Sequence, residues 1–490
     1  MTIRKGVPRR GGMARNIVHL GIGQVTTTIL TIVLNAVMAR TLGPLDFGRL
    51  YLVMTIATFA YVIVDWGYGM LITRETARHP DRAGELLGSA FAARSAGALV
   101  ACVVAVSITW LLDYDVRTRV LTGALILGWL PQYLGLSFGW VFRACERMDL
   151  DAVLNVVLKV ATVLGSLAVL ALSRNLLGLV TVWSVAGCLT LAIGIGMYRR
   201  QHLPALTANR STVHELVRDG TAFLAVNLAV ALEPYFNVNI LYKMASPEVV
   251  GWLGAASNIF GTLIAPAGIF AGTMFPRLSV AASDEAEFKR VFDVSFRPLL
   301  LVAVLGAVGT YLFADVAVGL IYGMEKFGPA ADDLRAFAPA LLLMYLGMFL
   351  GTAVVAKGNA GWLAIAKAAS VALTTGLVFL LVHVCQDRFG NGGLSVPFAM
   401  TMGESLMLVS GIVLVRGSIA GGMILDLCRG LTAGAATIVV VRLLPGLTPF
   451  LAIPMCVLVF GVLSWLVGAV KRSDFEMLLL SFRKQTPLTN

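Results

Sequence analysis

Residues 90–112 read AFAARSAGALVACVVAVSITWLL, a run of 23 residues with one charged side chain, Arg94. A helix needs about twenty apolar residues to cross the hydrocarbon core of a bilayer, so this run is long enough to span a membrane. Residues 153–172 and 451–470 are of the same kind. The chain of 490 residues is 58% hydrophobic and 13% charged, whereas soluble domains are about a quarter charged. We therefore predict an integral membrane protein.

The apolar runs predict an all-α integral membrane fold with about fourteen transmembrane helices. The predicted spans are 16–39, 47–72, 84–112, 117–142, 151–172, 176–198, 218–242, 249–274, 294–322, 333–356, 361–384, 394–416, 424–444 and 448–470. The loops between them are too short for a soluble catalytic domain, so we predict that the protein is not an enzyme. The six cysteines and five histidines lack the spacing of metal ligands, and we expect neither a metal nor another cofactor.

The distribution of basic residues predicts the orientation. With the N-terminus in the cytoplasm, 26 of the 38 Lys and Arg residues fall on the cytoplasmic side and 10 on the other, as the positive-inside rule requires. An even number of spans returns the C-terminus to the same side. The net charge of +11 is therefore attributed to topology signals, and we expect no nucleic-acid partner.

An internal repeat predicts the domain organisation. Residues 40–50, RTLGPLDFGRL, align with residues 243–253, KMASPEVVGWL, at an offset of 203. A basic residue, a proline, a glycine and a leucine coincide, and both segments link a first helix to a second. We predict two pseudo-symmetric six-helix lobes, residues 1–200 with helices 1–6 and residues 213–420 with helices 7–12. Residues 421–490 add helices 13 and 14 and a cytoplasmic tail. Parallel repeats of this kind usually enclose the substrate site of a transporter.

Several motifs are not explained by hydropathy. They are MARTLGPLDFGRL at 38–50, DWG at 65–67, RETA at 74–77, RACERM at 143–148 and FPR at 275–277. Together they resemble Wzx-type polysaccharide and O-antigen flippases of the multidrug/oligosaccharidyl-lipid/polysaccharide (MOP) exporter superfamily. The resemblance covers nearly the whole chain in helix number and spacing, and its motifs are specific in the first 150 residues.

The resemblance implies a MATE-like, V-shaped pair of lobes around a cationic cavity that works by alternating access. The implied substrate is a polyprenyl-diphosphate-linked oligosaccharide, moved from the cytoplasmic to the outer leaflet for cell-surface polysaccharide biosynthesis. It also implies the bacterial cytoplasmic (inner) membrane, membrane lipid as a partner, and contact with a polysaccharide polymerase and chain-length machinery. We expect a monomer.

Three basic residues at membrane depth are candidates for substrate binding: Arg94, Lys159 and Lys367. Charges in the hydrocarbon region are costly and are functional hypotheses by default. Arg binds phosphate oxygens with a planar fork, and Lys offers a mobile point charge. Alternatively, Arg94 forms a structural ion pair with Asp65, and the two lysines extend to the cytoplasmic interface.

Three acidic residues at similar depth, Asp65, Glu233 and Glu404, are candidates for ion coupling. Glu233 precedes Pro234, which removes a backbone donor from the helix, and it has the strongest case. Glu404 alternatively pairs with Lys367. The sequence leaves the coupling ion open between H⁺ and Na⁺.

Two further functions compete with the flippase. A cation-coupled multidrug antiporter of the same fold would favour an acidic cavity, against which Arg94 and Lys159 weigh. A membrane-embedded polysaccharide polymerase or ligase would need a large external loop, and the predicted external loops are short.

Overall fold

The computed structural model describes residues 10–418, 422–444 and 448–469, in which the regular secondary structure is helical and no β-strand occurs. The predicted cytoplasmic tail and the basic residues before position 10 lie outside the described residues. The α-helices are α1 Arg10–Asp65, α2 Tyr68–Arg78, α3 Ala83–Leu111, α4 Val116–Ala144, α5 Met148–Leu172, α6 Leu176–Arg200, α7 Arg210–Met244, α8 Pro247–Ala281, α9 Glu285–Ile321, α10 Met324–Ala356, α11 Ala360–Phe389, α12 Ser395–Leu414, α13 Met423–Arg442 and α14 Pro449–Leu466.

Within the described residues, thirteen helical segments are long and apolar enough to cross a membrane. The first, Thr28–Arg78, has 51 residues, which at about 1.5 Å per residue is more than twice the hydrocarbon thickness. Gly43 interrupts it with φ 75° and ψ 173°, and the helix restarts at Pro44. A left-handed glycine followed by a proline without a backbone donor ends one helix and begins the next. The break makes room for two crossings, and the predicted all-α membrane fold with about fourteen spans is confirmed.

The predicted end of the second span at residue 72 is wrong. The helix stops at Asp65, because Trp66 and Gly67 both have positive φ, 47° and 78°. The Trp66 indole donates to the carbonyl of Val217 at 2.9 Å, which holds this turn in place. The chain then forms α2, whose buried side chains pack onto α3 and α4. Apolar residues occur on both sides of Trp66 and Gly67, so hydropathy does not predict the turn.

Helices α7, α9 and α10 begin eight or nine residues before their predicted starts. The added first turns carry charged residues such as Glu285 and Glu325, with Asp284 capping α9 through the amides of residues 286 and 287. These first turns are too polar to be predicted as part of a membrane span, although the helix continues through them.

The chain divides into two compact units, Met1–Tyr242 and Lys243–Asn490. In the first, α4 packs against α1, α3, α5 and α6; in the second, α10 packs against α8, α9, α11 and α12. With α1 counted as two spans, α4 and α10 are the fourth span of their respective repeats. The fourth span is therefore the central helix of each unit.

The two copies of the repeated turn also make equivalent contacts. Arg49 in the first copy forms an ion pair with Asp115, in the turn between α3 and α4, at 3.6 Å. Trp252, at the equivalent position 203 residues later, donates to the carbonyl of Lys326, just after the turn between α9 and α10, at 3.0 Å. In each unit, a residue near the start of the second span thus contacts the chain at the turn between the third and fourth spans.

Helix α7 packs with the first unit, although the repeat makes it the first helix of the predicted second lobe. Its start contacts α3, where Thr212 donates to Glu85. Its end contacts the turn before α4, where the Tyr114 hydroxyl donates to Asn239 at 2.7 Å. The reason lies in the linker before α7, residues 201–209. It lies against α3 where Gly84 and Gly88 leave room for its backbone, so α7 must begin beside α3.

We predict that Gly88→Ala displaces this linker and lowers the free energy of unfolding by about 1–3 kcal/mol, as overpacking does. A Cβ at Gly88 would lie 2.4 Å from the carbonyl oxygen of Thr207. The measurement is thermal unfolding in detergent. Gly196→Ala on α6 is the matched control, because a Cβ there meets nothing within 4 Å. Equal stability of the two variants would contradict the close packing of the linker on α3.

Candidate functional site

Arg94 and Asp65 form an ion pair inside the first unit. Asp65 is the last residue of α1 before the break at Trp66 and Gly67, and Arg94 lies in the first half of α3. The Arg94 side chain is 2% exposed and that of Asp65 is 34% exposed. The structure thus shows the pairing that the sequence left as one of two alternatives. The guanidinium does not face an open cavity in this conformation.

The remaining contacts of Arg94 come from α4. One guanidinium nitrogen donates to the carbonyl of Tyr133 at 2.8 Å and to the Ser137 hydroxyl. The guanidinium carbon lies 4.3 Å from the centre of the Trp140 ring, within the range of a cation–π contact. One buried cation therefore joins α1, α3 and α4 at the level where α1 ends.

The sequence analysis missed these partners on α4. Tyr133, Ser137 and Trp140 have the spacing i, i+4 and i+7, which places them on one face of a helix. Tyr133 also stacks on Tyr61 of α1 at 4.0 Å between ring centres. A stripe of polar and aromatic residues along one face of an apolar helix was the signal that could have revealed the binding face for Arg94.

Lys367 and Glu404 form an ion pair inside the second unit. The Lys367 ammonium nitrogen lies 3.4 Å from a carboxylate oxygen of Glu404, which joins α11 to α12. The helices approach closely here, because the Ser370 hydroxyl donates to the carbonyl of Gly403 at 2.9 Å. The Glu404 side chain is 9% exposed and that of Lys367 is 26% exposed. Lys367 therefore shares its charge with an acid and still reaches a partly open surface.

Lys159 differs from the other two basic candidates. It lies at the middle of α5, eleven residues after Met148, which is about 17 Å along the helix. Its side chain is partly buried. Within the described residues, no acid lies close enough to form an ion pair with it. Lys159 thus differs from Arg94 and Lys367, which both have an acidic partner.

Glu233 lies in a polar stretch of α7. Glu233 and Asn237, one turn apart, are 7% and 4% exposed, and α7 runs unbroken through Pro234 between them. Tyr235 stacks on Phe59 of α1 at 4.3 Å between ring centres. A buried carboxylate beside a proline, whose missing N–H leaves a carbonyl of the preceding turn without its usual partner, supplies oxygen atoms of the type that bind a small cation.

The six candidates thus fall into two groups by unit. Asp65, Arg94, Lys159 and Glu233 belong to the first unit, whereas Lys367 and Glu404 belong to the second. The structure brings together Asp65 with Arg94 and Lys367 with Glu404. The assignment of these residues to substrate binding and ion coupling stays a prediction.

The comparisons with known proteins agree with this architecture. The family model described as "Polysaccharide biosynthesis protein" matches residues 13–281, more than half of the chain. The chain belongs to this family. No protein of the curated set matches the sequence.

Solved structures share the fold at low sequence identity. The lipid II flippase MurJ in an inward closed conformation has a TM-score of 0.72 and 11% identity, over 94% of this chain and 99% of that one. An inward-facing multidrug resistance MATE transporter of the MOP superfamily has a TM-score of 0.64 and 14% identity, over 86% and 98%. A MOP superfamily transporter from Pyrococcus furiosus has a TM-score of 0.55 and 13% identity, over 87% and 96%.

The family model confirms the predicted place in a polysaccharide biosynthesis family, and the solved structures confirm the predicted fold, which this chain shares with a flippase and with MOP superfamily transporters. The chain is a multi-pass membrane protein of polysaccharide biosynthesis with a transporter fold. The familial motif at residues 143–148 has a structural role here, because Arg143 pairs with the buried Asp151 at 2.7 Å. Glu146 in the same turn adopts a positive φ of 58°.

We predict that Arg94→Lys lowers the free energy of unfolding by about 1.5–3 kcal/mol, the contribution of hydrogen bonds to a charged group. Lysine keeps the charge but not the planar fork that reaches Asp65, Tyr133 and Ser137 together. Thermal unfolding in detergent is the measurement. Arg74→Lys is the control, because Arg74 is 52% exposed. An unchanged melting temperature for Arg94→Lys would refute the structural role of the fork.

Proposed function

We propose that the protein moves a polyprenyl-diphosphate-linked oligosaccharide from the cytoplasmic to the outer leaflet by alternating access. The family supports a role in polysaccharide biosynthesis, and the fold is that of transporters, two of which are named as a flippase and a multidrug transporter. A transporter fold has no need of catalytic groups, so the proposal treats the chain as a carrier rather than an enzyme.

The position and surroundings of Lys159 support this function most strongly. Lys159 lies at the middle of the apolar helix α5, is partly buried, and has no acid in ion-pair contact among the described residues. A diphosphate supplies the missing negative charge, and in a low-dielectric surrounding the attraction is stronger than in water. A drug antiporter for organic cations would be hindered by such a charge.

We propose that Lys159 and Lys367 bind the diphosphate, whereas Arg94, paired with Asp65, holds α1, α3 and α4 together. Lys367 is 26% exposed beside Glu404, so an anionic head group can compete with the carboxylate for its ammonium group. If the substrate displaced Glu404, that carboxylate would be free to take up a proton or Na⁺. Substrate binding and ion binding in the second unit would then be linked through one lysine.

The remaining parts of the proposal concern the cellular setting. We propose the bacterial cytoplasmic membrane, both termini in the cytoplasm, a monomer, and cooperation with a polysaccharide polymerase and its chain-length machinery. The excess of basic residues on one side supports the orientation. Attachment of an impermeant thiol reagent from outside intact cells to a cysteine placed at Asn209 would contradict it.

We predict that Lys159→Glu abolishes flipping of a fluorescent polyprenyl-diphosphate oligosaccharide in proteoliposomes, while protein abundance stays normal. Reversal of the charge repels the diphosphate at the point where it should be bound. Lys326→Glu is the matched control, because Lys326 is exposed and the charge change is the same. Full flipping activity in Lys159→Glu would refute the assignment. Efflux of cationic dyes without flipping of the lipid would favour the antiporter.

For the driving force, we propose coupling to H⁺ or Na⁺ through Glu233. A site that binds a cation with different affinity in the two access states biases the cycle. We predict that Glu233→Gln flips substrate at the same rate with and without an imposed proton or sodium gradient, whereas the wild type is accelerated by one of them. A mutant that depends on the gradient as the wild type does would leave Glu233 with a packing role only.

A further inference from the structure

Asp333 is a fully buried acid in the second unit that neither the motifs nor the proposed transport mechanism uses. It lies in the third turn of α10 and is 0% exposed. The nearby Arg335 is already engaged, since it pairs with Asp332 at 2.7 Å and with Asp315 at 2.6 Å. In the part of the chain that the structure describes, Asp333 makes no ion pair.

The polar contacts of Asp333 come from the turn between α11 and α12. The amide nitrogen of Asn391 donates to one carboxyl oxygen at 2.9 Å. The orientation of this amide is fixed, because its oxygen accepts from the backbone N–H of Gly393 at 3.0 Å. The second carboxyl oxygen of Asp333 has no hydrogen-bond partner within the described structure. Gly393 covers it so closely that a Cβ there would lie 2.9 Å away.

Three other buried or partly buried aspartates in the described residues have a guanidinium partner. Asp65 pairs with Arg94, Asp151 with Arg143 at 2.7 Å, and Asp426 with Arg297 at 2.7 Å. The lack of such a partner favours a neutral Asp333, because an isolated buried carboxylate is so costly that it takes up a proton instead of staying charged. A single neutral amide donor does not replace a guanidinium.

The groups that surround Asp333 offer no positive charge. Its own helix contributes Asp332, which adds negative charge, and α11 contributes the thiol of Cys385, which is 2% exposed. The turn at 391–394 contributes Asn391 and the backbone of Gly392 and Gly393, which are uncharged. Burial and the negative charge of Asp332 therefore favour the neutral form of the carboxyl group, whereas the hydrogen bond from Asn391 favours the charged form.

We propose that Asp333 is a proton-binding site, and that its proton keeps the turn at residues 391–394 docked against α10. The protonated acid accepts the Asn391 hydrogen bond while Gly393 closes over it. Loss of the proton would leave a buried charge that requires water, and displacement of this turn, which covers the second carboxyl oxygen, would admit it. The site therefore links proton occupancy to the packing of α11 and α12 on α10.

Infrared spectroscopy of the wild-type protein tests the protonation directly. With ¹³C-labelled aspartate, we expect a band of a protonated aspartic acid in detergent at pH 7, because Asp333, unlike the buried Asp151 and Asp426, has no arginine partner among the described residues. The band should be absent from Asp333→Asn. Absence of any such band from the wild type at pH 7 would overturn the proposal, whether or not the variant folds.

The pH dependence of stability gives an independent test. An unfolded aspartate is ionised above about pH 4, whereas the folded protein holds the proton, so folding takes up one proton. Relative to Asp333→Asn, the unfolding constant of the wild type should therefore rise up to tenfold per pH unit between pH 5 and 8. Asp332→Asn, which changes an exposed neighbour, should run parallel to the wild type.

Two outcomes of this second test would contradict a proton at Asp333. The first is a difference between wild type and Asp333→Asn that does not change with pH. The second is stabilisation of the wild type by sodium chloride over potassium chloride at pH 8 that Asp333→Asn lacks, since that would assign Na⁺ to the site.

Discussion

The cost of an unpartnered charge in hydrocarbon is the constraint on which the rest of this structure depends. Arg94 is accommodated by Asp65, by a carbonyl and a hydroxyl of α4, and by the ring of Trp140. Lys367 is accommodated by Glu404. Charges that are satisfied in this way hold helices together, whereas a charge that is not satisfied, such as Lys159, is available to a ligand. Arg94 and Lys159 thus differ in whether the protein supplies an acidic partner, which depth in the membrane does not reveal. Lys367 combines both features, because it is paired and still 26% exposed.

The breaks in the helices determine where those charges meet. Asp65 reaches Arg94 from the last turn of α1, and the left-handed pair Trp66 and Gly67 then turns the chain into α2. A Cβ at Gly67 would lie 2.5 Å from the Cβ of Phe223 on α7, so glycine is required there both for its φ and for the approach of α7. The motif DWG therefore joins a charge, an indole hydrogen bond and a close helix contact in three consecutive residues.

The sequence predicted the spans because hydrophobicity over about twenty residues is a local property that each helix satisfies by itself. It did not decide between the ion pair and the binding site for Arg94, since depth along a helix says nothing of the direction in which the side chain points. The same limit applies to Glu404, whose pairing with Lys367 was one of two readings. Asp333 was missed for another reason. It stood at the predicted first residue of its span, where an acid is ordinary, and the helix in fact begins nine residues earlier.

Equilibrium binding shows directly whether Lys159 binds the diphosphate of a lipid substrate, as we propose. Purified protein in detergent would be titrated with polyprenyl diphosphate and, separately, with uncharged polyprenol. For Lys159→Gln we expect the affinity for the diphosphate to fall tenfold or more, as loss of a hydrogen bond to a charged group implies, while the affinity for the polyprenol stays unchanged. Equal affinities of wild type and Lys159→Gln for the diphosphate would contradict the claim.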